Sequence, residues 1–94
     1  MNDKRRKAIR KIIKRLIEED VDLNDVRSEL EDILTEEEWA RDNTPENLLN
    51  SEAYTTRDES CDHLQEAIDE LDSIDESDPD YTYVARALEN IDGV

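Results

Sequence analysis

Residues 9–40, IRKIIKRLIEEDVDLNDVRSELEDILTEEEWA, decide the fold class. Apolar side chains recur there at Ile9, Ile12, Leu16, Leu23, Val26, Leu30, Ile33 and Ala40, three and four residues apart, interrupted by Glu19 and Glu37. That alternation turns one side of an α-helix away from water, and Ile13, Ile17 and Leu34 widen the seam into a face suited to a bundle. The weak point is residues 20–24, where Asp, Val and Asn are poor helix-interior residues and Asn24 is a candidate cap for a new helix. One helix over 3–41 and two helices hinged near Asp22 both fit this pattern.

Working outward, Asp42-Asn43-Thr44-Pro45-Glu46 ends the helix, because Pro disfavours a helical residue before it and Asn and Asp favour turns. The reversal spans 42–56, with Leu48, Leu49 and Tyr54 in a short helical turn that closes the end of a hairpin. Trp39 and Tyr54 flank it and are expected to pack there; a Trp39 left exposed would instead mark a contact with a partner. The seam resumes over 57–76 at Cys61, Leu64, Ile68, Leu71 and either Ile74 or Asp75, in a helix antiparallel to the first. Asp78-Pro79 reads as a cap followed by proline at the first helical position, and Tyr81, Val84, Leu88 and Ile91 carry a short helix over 79–91. The expectation is one all-α domain over 1–94: an antiparallel, coiled-coil-like helical hairpin with a short third C-terminal helix. Its core is drawn from Ile9, Ile12, Leu16, Leu23, Val26, Leu30, Ile33, Leu64, Ile68, Leu71, Val84, Leu88 and Ile91.

Composition agrees with helix. With 94 residues, 43% charged, one Gly and two Pro, the chain lacks the turn punctuation and β-branched enrichment of strands, and a core this small is thin. No apolar run approaches the roughly 18 residues that span a bilayer, and Arg10, Lys11, Lys14 and Arg15 interrupt any signal-peptide reading of the basic opening. A cytoplasmic protein without membrane contact is expected. The net charge of −16 is unevenly spread: residues 1–17 hold eight Lys/Arg against Asp3, and residues 18–94 hold four Arg against 27 acids. In a hairpin the basic opening lies near acidic stretches such as residues 69–80, offsetting repulsion by about 0.2–1 kcal/mol for each exposed pair.

Catalytic and metal chemistry find little to use. Cys61 and His63 lie about 200° apart on a helix, so they do not form a nucleophile–base pair. Cys61 is read as core and His63 as surface, and one of each is too few for a zinc site. Asp78, Asp80, Thr82 and Glu89 match the first, third, fifth and twelfth positions of a calcium loop, but Tyr83 stands where the sharp turn needs glycine. Gly93 is the only glycine, so no glycine-rich loop cradles phosphate. No enzyme activity, cofactor or metal is expected, and an acidic body repels nucleic acid, so none is expected to bind directly.

The helix at 57–76 carries Asp58, Glu59, Asp62, Glu66, Asp69, Glu70, Asp72, Asp75 and Glu76, followed by Asp78 and Asp80. Its acids give about one negative charge per 3 Å of axis, near the ~3.4 Å phosphate spacing of one DNA strand. These residues are the candidate partner-binding face, an electrostatic copy of DNA aimed at a basic groove. A solvated helix face and salt adaptation are the plainer readings, and the basic opening argues against uniform salt adaptation.

The segments KRRKAIRKIIKRL, EEEWARDNTPENLLNSEAY and HLQEAIDELDSID resemble a family of short, uncharacterised acidic helical proteins of tailed bacteriophages. The matching positions are Glu37, Glu38, Asp42, Asn43, Pro45, Glu46, Ser51 and Glu52, within residues 3–76; from Asp78 onward the sequence departs from the pattern. The resemblance implies a phage origin, and small acidic phage proteins as a class often block host restriction, CRISPR or repair enzymes. The expected function is a non-enzymatic DNA-mimicking inhibitor of a host DNA-binding protein with a basic groove. The alternative is a coiled-coil adaptor or scaffold that grips a helical partner through its apolar seam. A homodimer is the expected assembly, unless the third helix covers the exposed stripe.

Overall fold

Each helix begins where a side-chain oxygen can take the backbone N–H groups that the first turn leaves without partners. In the computed structural model, which describes residues 2–18, 21–48 (of Glu46 the backbone alone), 51–74, 77, 80–91 and 94, four α-helices start in this way or near it. They are α1 (Asp3–Ile17), α2 (Leu23–Asp42), α3 (Glu52–Asp72) and α4 (Thr82–Glu89), with a 3-10 turn at Glu46–Leu48 and no strand among the described residues. The protein is all-α.

Asn2 caps α1 by accepting the N–H of Arg5 at 2.9 Å. The single helix over 3–41 gives way to the hinged alternative, because helix stops after Ile17 and resumes at Leu23. Asp22, not Asn24, is the cap: its carboxylate accepts from the N–H groups of Asn24 at 3.0 Å and Asp25 at 3.4 Å. The acidic helix starts at Glu52 rather than near 57, since the Ser51 hydroxyl accepts the Tyr54 N–H at 3.2 Å. At the other end α4 starts at Thr82 rather than 79; Asp80 accepts the Thr82 N–H at 2.9 Å, while Asp78 and Pro79 lie outside the described residues. The expected hairpin with one added helix is thus replaced by four helices.

Ion pairs between helices give their directions. Arg5 meets Glu37 and Arg15 meets Glu29, so α1 runs antiparallel to α2; Arg41 meets Asp58 and Arg27 meets Asp72, so α2 runs antiparallel to α3. Neighbouring helices pack as α1–α2, α2–α3, α3–α4 and α4–α1, a ring that sets α1 and α3 on a diagonal. The bundle is a rod of 49 × 21 × 18 Å.

The interior matches the seam. Ile9, Val26, Leu30, Leu64, Val84 and Leu88 have no exposed surface, each contributing about 1.5–3 kcal/mol by leaving water. Leu34, Cys61, Ala67, Ala85 and Ala87 join them, and Leu23, expected in the core, is half-buried against it. Ile17 does not widen the packed face; at the last turn of α1 it is exposed. Beyond Glu37 on α2 and before Ser60 on α3 no described residue is buried. Trp39, expected to pack at that end, is 69% exposed because its position on α2 is opposite Leu30 and Glu37, which face inward.

Candidate acidic interface

An α-helix repeats its faces every three to four residues, so α3 separates its apolar and acidic residues by register alone. Ser60, Cys61, Leu64, Ala67, Ile68 and Leu71 turn inward. Glu59, Asp62, Glu66 and Asp69 fall on the opposite side, and all four are exposed. These four are the part of the expected acidic face that the fold brings into one line on the solvent side.

The remaining expected residues divide. Asp58 is half-buried and accepts from Arg41 Nη1 at 3.1 Å. Asp72 is exposed but bound to Arg27 Nη1 at 2.7 Å. Glu70 is half-buried at the edge of the face, and with Glu59 and Asp62 it carries no ion pair among the described residues. Gln65 donates to Asp69 at 3.0 Å, and His63 Nδ1 lies 3.8 Å from Glu66, a charge pair once the imidazole is protonated. Asp80 stands apart on the approach to α4, where hydrogen bonds from the Thr82 hydroxyl and N–H hold its carboxyl below the usual carboxylate range. Its visible role is to accept the N–H of the first residue of α4, whose N-cap position, Tyr81, makes no side-chain cap. Asp75, Glu76 and Asp78 lie outside the described residues.

A second set of acids enters from α2, which the linear reading did not assign to the face. Glu31, Asp32, Glu36 and Asp42 are exposed and Glu38 is half-buried, on the helix adjacent to α3. The signal was present in the sequence as acids at the outward register of residues 31–42, but the partner helix was needed to place them beside α3. Packed helices lie about 8–10 Å apart, so Glu31 and Asp42, which share Arg27 and Arg41 with α3, flank its acidic line, whereas Glu36 lies 3.9 Å from Arg5 on the α1 side. Arg27 and Arg41 stitch the seam between the two helices: Arg27 bonds Glu31 at 3.0 Å as well as Asp72, and Arg41 bonds Asp42 at 3.1 Å as well as Asp58. The hydrogen bond that Arg27 donates to Glu31 and the charge of Asp72 raise the Arg27 pKa, so this cation stays charged.

Part of the stretch 69–80, against which the basic opening was expected to lie, falls outside the described residues. The inward members of the opening turn to α2: Arg15 meets Glu29 at 2.7 Å, and Arg5 Nε donates to the fully buried Glu37 Oε2 at 3.0 Å. Lys4, Lys7, Lys11 and Lys14 instead line the solvent side of α1. Cys61 is buried, and that burial pushes its thiol up to about 11, against the opposing pull of Arg41. The calcium pattern does not form a loop, because its positions from Thr82 to Glu89 are helical. Among the described residues no group of three His, Cys, Asp or Glu is placed to hold a metal, and no helix is long and apolar enough to cross a membrane.

No protein-family model matches the chain, and neither does any curated protein or solved structure.

Proposed function

We propose that the protein is a non-enzymatic, phage-type acidic inhibitor that imitates DNA and fills the basic groove of a host nucleic-acid enzyme such as a restriction, CRISPR or repair enzyme. The observation that carries this reading is the exposed line of Glu59, Asp62, Glu66 and Asp69 on α3, with Glu31 and Asp42 beside it on the adjoining side of α2. Two neighbouring helices present carboxylates along a rod 18–21 Å thick, and a groove shaped for a charged duplex recognises such a surface by its field more than by side-chain detail. Asp58 and Asp72, and with them Glu31 and Asp42, contribute less than the α3 line, because Arg41 and Arg27 already engage them. The groove-facing side is the α2–α3 side.

The test is capture of nucleic-acid enzymes on immobilised protein, with and without competing duplex DNA, across a salt series. Binding that falls steeply with salt, yields to DNA and disappears in a Glu59→Lys, Asp62→Lys, Glu66→Lys, Asp69→Lys variant supports the reading. Capture that ignores both DNA and salt overturns it.

Trp39 favours a second reading, an adaptor for a helical partner. The apolar seam such an adaptor would use is occupied by the chain's own helices, and Trp39 is the large apolar side chain left outside it on α2. Loss of capture in a Trp39→Ala variant, with little effect of the α3 changes, selects the adaptor.

A further inference from the structure

Lys4, Lys7, Lys11 and Lys14 occupy positions i, i+3, i+7 and i+10 of α1. Glu59, Asp62, Glu66 and Asp69 occupy positions i, i+3, i+7 and i+10 of α3. Both lines are exposed, both lie opposite the buried face of their helix, and at about 1.5 Å rise per residue both are roughly 15 Å long. The spacing of three, four and three reads the same from either end, so the lines match in parallel or antiparallel approach. Within one molecule they cannot meet, because α1 and α3 sit on the diagonal of the ring. Lys4, Lys7 and Lys11 have no ion pair among the described residues, and Lys14 reaches Glu18 only at 4.0 Å.

We infer that the lysine face of α1 is a docking surface for the acidic face of α3 on a second copy of this chain. The contact is heterologous: each molecule offers a lysine line on one side and an acidic line on the other. Such contacts do not close at two copies and add molecules in series. This assembly differs from a dimer through the apolar seam, which the bundle keeps for itself. It goes beyond the proposed inhibition and stands without it, although a basic groove and the lysine face of another copy would compete for the same acids.

The net charge of −16 sets the salt dependence. At about 0.01 M salt the screening length is ~30 Å, longer than the 18–21 Å thickness of the rod, and whole molecules repel. Near 0.15 M it falls to about 8 Å, so each face meets only its opposite. At about 1 M the local attraction is screened as well. Association is therefore strongest at intermediate salt.

Sedimentation equilibrium of the full chain at millimolar concentration, at low, intermediate and high salt, tests this. The expected result is a mass that rises with concentration past two copies at intermediate salt and returns to monomer at both extremes. Changing all four lysines to Glu, or the four acids to Lys, is expected to weaken association about tenfold or more. Mixing the two variants restores it, since one then carries two acidic faces and the other two basic ones. Circular dichroism checks that each stays helical, and a Lys→Gln version of the α1 set, which keeps helix propensity, must weaken association too. A monomer at every salt concentration, an assembly indifferent to the lysines, or lysines that shift a labelled DNA duplex while the chain remains monomeric each overturns the inference.

Discussion

The α2–α3 hairpin is one structure with two kinds of interior. Up to Glu37 on α2 and from Ser60 on α3, the bundle buries Leu30, Leu64 and their neighbours among four helices. Past those points, between residues 38 and 59, nothing described is buried, and the helices are joined by polar contacts: Arg41 to Asp58 at 3.1 Å and Arg57 to Thr44 at 3.5 Å. Glu37 and Trp39 stand on either side of the change, and their polarity is inverted. The acid is fully buried and the indole 69% exposed. The comparison teaches that register outranks side-chain type where a partner is at hand: Glu37 faces inward and is tolerated because Arg5 meets it, whereas Trp39 faces outward and is largely exposed.

The largest effect expected at this boundary comes from removing one member of the buried pair. Arg5→Ala leaves the Glu37 carboxylate without this cation inside the bundle and is expected to cost about 3–5 kcal/mol in urea unfolding. An Arg5→Met, Glu37→Leu double substitution is expected to lie within about 1 kcal/mol of the natural chain, or above it, since apolar side chains fill the same space without a desolvated charge. A double variant as unstable as Arg5→Ala would show that the pair supplies stability and not just compatibility.

Next in size is the contrast between the two interiors. Leu64→Ala is expected to lower stability by about 2–5 kcal/mol, and Trp39→Ala, despite the larger side chain, by less than about 0.5 kcal/mol. Chemical denaturation of the pair measures this, and similar losses would mean that Trp39 packs in solution.

The smallest expected effect is the alkaline titration of Cys61. Burial holds the thiol proton to about 11 in the fold, above the ordinary value of 9.0, so the unfolded chain loses that proton first and folding stability falls as pH rises from about 9 through 11. Below that window the contribution is fully present. A Cys61→Ala variant should show a shallower decline than the natural chain; identical slopes would mean the thiol is not responsible.

The three-four alternation made most of the core legible, because burial on a helix follows register and register is counted along the chain. Ile9, Leu30 and Leu88 were placed that way. The break between α1 and α2 was visible only as weak propensity, since choosing between Asp22 and Asn24 depends on which carboxyl or amide reaches the free N–H groups. Trp39 was misplaced because large aromatic side chains usually pack, and Glu37 read as an interruption because its partner lies 32 residues away. Of the acids read on α3, Glu59, Asp62, Glu66 and Asp69 share its solvent side. Linear charge density did not separate Asp58 and Asp72, which arginines of α2 engage, from Glu59 and Asp62, nor did it add the acids of α2 itself.

The diagonal placement of α1 and α3 also governs how the molecule turns. The lysine line on one side of the rod and the acidic line on the other give the molecule a dipole component across its width. A field directed across the rod acts on that component with a torque about the long axis, where a body of 49 × 21 × 18 Å meets the least rotational drag. If the proposed basic groove is the partner, a rod lying along it turns its α2–α3 side forward by rolling, without tumbling end over end. Rolling is the fastest rotation available to it, so diffusional encounters begin in the docking orientation more often than an unpolarised rod of the same net charge would allow.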